Sequence, residues 1–256
     1  MSAGDAFRKD RRNAPDDFFA AEAASLRWLR DAGAPVVGVA SVGDDHIELT
    51  RLASAAPSAS AAEHFGAALA DMHAAGAPAF GSPPEGFTGQ QYIGNQPLSS
   101  TTHSSWGVFY AEERILPFLD VAVSRRNVSG ADAEVVRAVC ADLSAGDFDD
   151  DEPPARIHGD LWTGNVMWTP DGVVMIDPAA HGAHRETDLA MLALFGCPHL
   201  ESVFAGYAGR WPLRGGWRRR IPLHQLHPLA VHAASHGPSY GRELGRAARQ
   251  VRAPEA

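Results

Sequence analysis

His158-Gly159-Asp160-Leu161-Trp162-Thr163-Gly164-Asn165 is followed, twelve residues after the Asn, by an apolar run that ends in Ile176-Asp177-Pro178. Ala155–Ile157 and Val173–Ile176 read as short buried strands, because they are brief, apolar and bounded by turn residues. Two Asp and one Asn are therefore presented from loops that flank a short hairpin. One reading of these residues is bland: Asp160 and Asn165 would hydrogen-bond the turns of a polar loop, as such side chains often do. A lone Asp-x-x-x-x-Asn does not decide between that and a chemical role, so the residues upstream matter.

Of the 22 basic residues 21 are Arg, and Lys9 is the single lysine. A bias towards Arg explains the scarcity, yet a compact ammonium on a flexible stem is not interchangeable with a guanidinium. Residues 5–9 form the tail of a strand. Asp16 and Asp17 then read as the cap of a helix that carries Phe18, Glu22, Leu26 and Leu29 on one face and ends near Gly33. Glu22 thus falls in the middle of an apolar stripe, where a carboxylate must find a cation or lose its charge. Lys9 is the nearest candidate.

Taken together, these residues fit phosphoryl transfer from MgATP to an alcohol. That chemistry needs a carboxylate near the acceptor hydroxyl and hard oxygen ligands for Mg²⁺. In a kinase catalytic loop the Asp stands five residues before the Asn, and a metal-binding Asp follows one strand later, which is the order of Asp160, Asn165 and Asp177.

Composition narrows the remaining classes. The chain has 256 residues and a net charge of −9, with no basic run that could track a phosphate backbone, so nucleic acid is not expected as a partner. No apolar h-region or membrane-length run occurs, which points to a soluble, cytoplasmic protein. Cys140 and Cys197 are not at metal or redox spacing and read as small buried hydrophobes. Val36–Ala40 and His46–Leu52 read as strands around a Gly43-Asp44-Asp45 turn, and Ala53–Ser60 as a connection between lobes. A helix with Phe65, Ala68, Leu69 and Met72 on one face follows. Gly76–Gly94 reads as a long loop, Trp106–Val123 as a helix kinked at Pro117, and Ala131–Leu143 as a further helix. The acidic turn from Gly146 to Pro154 reads as solvated, Glu186–Phe195 as a helix with an acidic first turn, and the rest as mostly helical.

The loop His158–Asn165, the following Ile-Asp177-Pro-Ala, and His184-Arg-Glu-Thr-Asp188-Leu-Ala-Met resemble the fructosamine kinase (ketosamine 3-kinase) family. That family lies within the larger group of aminoglycoside-phosphotransferase-like kinases. The resemblance extends to Phe18–Leu26, Tyr92-Ile-Gly, Ala111-Glu-Glu-Arg-Ile-Leu-Pro and Gln225-Leu-His-Pro-Leu, so it spans nearly the whole chain. It implies an α+β, protein-kinase-like two-lobe fold. Residues 1–52 would be a truncated β-rich nucleotide-binding lobe, and 53–256 a helical catalytic and acceptor-binding lobe. It also implies ATP and Mg²⁺, and a ketosamine or glycated amine as acceptor. Carried onto this chain, Lys9 would contact the nucleotide phosphates and Glu22 would orient it. Asp160 would orient or deprotonate the acceptor hydroxyl, and Asn165 and Asp177 would hold Mg²⁺. Glu48–Leu52, with Thr50 at a position usually acidic in the family, would be the hinge against which adenine pairs.

Several alternatives stay open. His158 is either a strut of the loop or a proton carrier, with the strut expected. Arg185, Glu186 and Asp188 either touch substrate or brace the helical lobe, with bracing expected for Asp188. Trp162 either stacks on the acceptor or belongs to the core. His224, His227, His232 and His236 have helix-compatible spacing but lack a His-Glu-x-x-His pattern, so packing or lining the acceptor cleft is expected rather than zinc. Only eight residues precede Lys9, and no Gly-rich turn lies among them. Either the recorded start is internal to a longer frame, or the first two strands of the small lobe are absent. An active kinase, on a ketosamine or on another amino-alcohol or aminoglycoside, therefore stands against a catalytically silent protein on the same fold. The oligomeric state is not legible.

Overall fold

The structure is a computed structural model and describes residues 6–253. Strands β1 (Ala6–Asp10), β2 (Val39–Val42) and β3 (His46–Thr50) form an antiparallel sheet in the order β1-β3-β2. Lys9 stands opposite Ile47, and Arg8 opposite Glu48. Helix α1 (Phe18–Asp31) packs on this sheet through Ala23, Leu26 and Leu29, which share a core with Ile47 and Leu49. Two expectations are corrected here. Asp17 makes no side-chain cap to α1; its carboxylate instead accepts the Gln90 N–H at 3.1 Å, while its backbone turns left-handed. β2 starts at Val39 rather than Val36, because the preceding segment spends its hydrogen bonds elsewhere: Val37 N–H donates to the Met175 carbonyl (3.0 Å) and Met175 N–H to that of Pro35 (2.7 Å).

Residues 51–58 are irregular, and Ser58 caps α2 (Ala59–Ala74) by accepting the Ala61 N–H. The expected long loop contains a hairpin, β4 (Gln91–Ile93) and β5 (Gln96–Leu98), turning through Gly94-Asn95. Gly94 has φ of 53°, the left-handed conformation such tight turns need. The single kinked helix is in fact three pieces: α3 (Trp106–Phe109), a π-helical stretch Tyr110–Ile115, and α4 (Leu116–Ser124) with Pro117 in its first turn. Pro117 closely follows the wide π-helical turn, and these are the two features at which helices most often change direction.

After α5 (Gly130–Ser144), strand β6 (Ala155–Ile157) pairs with β9 (His181–Ala183), and β7 (Val166–Thr169) with β8 (Gly172–Met175). Helices α6 (Glu186–Leu194), α7 (Leu200–Arg210), α8 (Trp217–His224), α9 (Leu226–His236) and α10 (Pro238–Val251) complete the described chain. One core joins α1 and β3 to α2, β8 and α7 through Leu29, Ile47, Leu69, Met175 and Tyr207; another gathers Phe109, Leu119, Val136, Leu229 and Leu244. The first core runs past Leu52 without a break, so a lobe boundary there follows the course of the chain rather than a gap in packing. Cys140 and Cys197 are free and buried, as expected.

α2 and α7 meet backbone to backbone. A Cβ added at Gly66 would overlap the Val203 carbonyl, and one at Gly206 would overlap the Glu63 carbonyl. Gly206→Ala is expected to lower stability by about 2 kcal/mol, since neither backbone can yield without parting the helices. Urea unfolding of the variant within 0.5 kcal/mol of wild type, on the order of a surface substitution, would show that the contact is loose.

Candidate active site

The loop after β6 is held from below by one carboxylate. Asp188, in the first turn of α6, accepts the backbone N–H groups of His158 (2.7 Å) and Gly159 (3.0 Å), and the Nε2–H of His73 at 3.1 Å. The other ring nitrogen of His73 meets the Tyr207 hydroxyl at 2.9 Å. Burial alone would push the Asp188 carboxyl up, but its bond to His73 and the two imidazoles nearby hold it below the usual carboxylate range. His158 donates its Nε2–H to the Ile176 carbonyl (2.9 Å) and accepts the Asp160 N–H at Nδ1 (3.2 Å). Both ring nitrogens of His158 are thus committed to the loop, and burial lowers its pKa.

On that platform the chemical groups converge. The Asn165 amide nitrogen donates to the Asp160 carbonyl (2.8 Å) and to its carboxylate (3.1 Å), leaving the amide oxygen for another partner. Lys9 Nζ donates to both Glu22 oxygens, at 2.8 and 3.0 Å, and to Asp177 at 2.7 Å. Burial pulls the Lys9 ammonium down, but Glu22 and Asp177 outweigh it and its pKa lies above the ordinary lysine value. Asp160 differs: burial pushes its carboxyl up to about 7, with the Asn165 bond only partly opposing. Lys9, Glu22, Asp160, Trp162, Asn165 and Asp177 line one cavity of about 380 Å³. A second cavity of about 410 Å³ shares Lys9 and Asp177 and is walled by Phe7, Val37, Thr50, Leu52, Met167 and Ile176.

Not every expected residue reaches the site. Glu48 lies within β3, where it accepts from Ser41 (2.8 Å) and Arg8 (3.2 Å) and lines neither cavity. The chain lines the second cavity from Leu49 to Leu52, so of the expected hinge segment only Glu48 stands outside it. Arg185 and Glu186 are buried away from the cleft. Arg185 forks onto Glu152 (2.7 and 3.0 Å) and lies over the Trp211 ring at 4.0 Å, while Glu186 pairs with Arg220 at 2.8 Å. Both side chains are spent on these partners and line neither cavity. The acidic turn is correspondingly not a merely solvated loop, since Asp150 faces His184 and Glu152 is buried under Arg185. His224 gathers with His184 and Glu186, but it bonds Thr187 at 3.1 Å, and the Glu186 carboxylate is taken by Arg220. Trp162 is 36% exposed on the cavity wall and is not core. The sequence reading missed His73 and Tyr207, for which it carries no local signal. It also missed the β4–β5 hairpin, whose Gln91, Tyr92, Gly94 and Asn95 close one side of the cleft; the Gly94-Asn95 pair was the available sign.

A small sheet with one helix, over a mostly helical part that carries an Asp/Asn loop and a second Asp, is the protein-kinase-like fold of the aminoglycoside phosphotransferases. A choline/ethanolamine kinase family protein from Mesorhizobium loti shares that fold, at TM-score 0.61 and 17% identity over 98% of this chain and 84% of its own. More specifically, the sequence model of the fructosamine kinase family matches residues 2–253, and the chain belongs to that family. A Thermobifida fusca YX-ER1 protein assigned as a fructosamine-3-kinase superimposes at TM-score 0.89 with 48% identity, covering 97% of this chain and 86% of its own. An Enterococcus faecium protein assigned as a ketoamine kinase is 32% identical over 191 residues, which is 70% of this chain and 62% of that relative. No helix among the described residues is long and apolar enough to cross a membrane.

Two outcomes test the site's energetics. Asp160 titrates higher in the folded chain than its unfolded value near 3.9. Its contribution to stability is therefore full below about pH 4 and is lost as pH rises through about 7. Asp160→Asn should melt measurably above wild type at pH 8, and the two should converge near pH 4; equal melting temperatures at pH 8 would refute the buried charge. Asp188→Ala leaves two backbone donors and His73 without an acceptor and should cost about 3–5 kcal/mol in urea unfolding.

Proposed function

We propose that the chain transfers the γ-phosphoryl group of ATP to a sugar hydroxyl of a ketosamine. The observation that carries this reading is the meeting of Lys9, Glu22, Asp160, Asn165 and Asp177 in one cavity, beside a second and more apolar one. The apolar slot between Val37, Leu52, Met167 and Ile176 suits a flat adenine ring, with the chain at Thr50–Leu52 offering backbone groups. Lys9, fixed by Glu22, would take the nucleotide phosphates. Family membership and the likeness to proteins assigned as fructosamine and ketoamine kinases support the acceptor class.

The donor set fits a magnesium ion: Asp177 places a carboxylate, and Asn165 a free amide oxygen, in the same cavity, both hard oxygen ligands. Bound there, Mg²⁺ would supply charge neutralisation for the phosphates. The remaining work falls to the chain. Lys9 positions the donor. Asp160 accepts the proton of the attacking hydroxyl as the new oxygen–phosphorus bond forms and ADP leaves; its raised pKa keeps it a usable base near neutrality. Trp162, at the cavity wall, is placed to face the acceptor.

ADP release with MgATP and a fructosyl- or ribulosyl-amine tests the reading. Asp160→Asn should lower turnover by about 10²-fold or more, with ATP binding nearly intact, whereas Asp177→Asn should weaken both turnover and ATP binding. Turnover by Asp160→Asn above about a tenth of wild type would remove Asp160 from its role. No acceptor-dependent ADP release by the folded wild type would sink the ketosamine assignment.

A further inference from the structure

Trp162, on the wall of the cleft, touches a group of rings that lies beyond the cavity lining. Its ring meets that of Phe195 edge to face at 5.9 Å, and Phe195 in turn faces His232 at 5.0 Å and Tyr240 at 6.4 Å. His232 and Tyr240 lie 5.0 Å apart, closing a triangle of rings that draws on the end of α6, on α9 and on α10. Phe195, His232 and Tyr240 are half-buried, unlike the fully buried rings of the two cores, so each keeps surface towards solvent. Gln96 of the hairpin donates to the Ser235 hydroxyl of α9 at 3.4 Å, which brings β5 to the helix that carries His232.

The triangle also has a defined polar character. His232 donates Nδ1–H to the Pro228 carbonyl at 2.8 Å, so the neutral imidazole carries a lone pair at Nε2, for which the described residues supply no hydrogen-bond partner. Burial lowers the pKa of His232, which keeps that lone pair available at neutral pH. Aromatic faces and an unprotonated ring nitrogen both attract a cation, and the ring faces also bury apolar substituents.

We propose that Phe195, His232 and Tyr240 form a subsite for the amine-bearing portion of the acceptor, one step beyond Trp162, that selects glycated amines carrying an apolar or aromatic substituent. The inference rests on the ketosamine reading above. A ketosamine nitrogen is a secondary ammonium next to the sugar, so the group that follows it leaves the reacting hydroxyl and meets this wall.

The full chain is assayed with the fructosyl adducts of methylamine and of benzylamine. Phe195→Ala and Tyr240→Ala should each lower the benzyl-to-methyl ratio of kcat/KM by roughly three- to tenfold, mainly through KM for the benzyl compound. Tyr240→Phe, which keeps the ring, should restore the ratio and guards against a misfolded alanine variant. Quenching of tryptophan fluorescence by the benzylamine adduct without ATP gives a readout that needs no turnover, and Tyr240→Ala should weaken that binding to a similar extent. If wild type binds the adduct through Tyr240 yet releases no ADP with either compound, the subsite stands and the reaction assigned above fails. If neither the ratio nor the binding changes in either alanine variant, the subsite is overturned.

Discussion

The Asp188 carboxylate holds the site together because three donors, two from the loop after β6 and one from α2, converge on it. The N–H groups of His158 and Gly159 follow the end of β6 and donate to that carboxylate, and His73 comes from α2, behind the loop. A buried carboxylate with fewer donors would protonate or open a path for water. Satisfied by three, it keeps its charge and fixes the direction in which the chain leaves β6. Tyr207 on α7 completes the support behind His73, so the close α2–α7 crossing at Gly66 and Gly206 and the pose of the loop belong to one unit.

Lys9 plays the matching part from the sheet side. Its ammonium bridges a helix carboxylate, Glu22, and a loop carboxylate, Asp177, and so ties β1, α1 and the turn after β8 to one point. Two carboxylates against one cation leave surplus negative charge in the cleft. That surplus suits a site whose further partner is positive, and it helps to raise the Asp160 pKa, which burial raises first. Arg cannot replace Lys9 easily, because a planar fork would not reach three oxygens from two directions as a compact ammonium does.

Around this centre the buried charges are paired rather than spread. Arg185 with Glu152 and Arg220 with Glu186 bind the acidic turn and α8 to the base of α6. Such pairs rarely add much net stability when buried, but losing one partner strands the other, which makes them strict about geometry. They sit behind Asp188 on the same helix, and so keep α6 in register with the loop it supports.

The residues that meet in the cavity were legible in the sequence because each carries a local signal. Asp160 and Asn165 share one loop, Asp177 ends an apolar strand, and Glu22 interrupts an apolar helix face and so demands a cation. The helices with a strong apolar stripe, and the strands next to the loop, could be read for the same reason. Short-range signals failed where hydrogen bonds were made to distant chain: Pro35 and Val37 were claimed by Met175, Asp17 by Gln90, and the three-residue strands β4 and β5 fell below the length at which alternation shows. The surroundings of His158, Arg185 and Glu186 were set only by the tertiary structure. A side chain's type says what it can bond to, whereas whether it faces a cleft or an opposite charge depends on partners dozens of residues away.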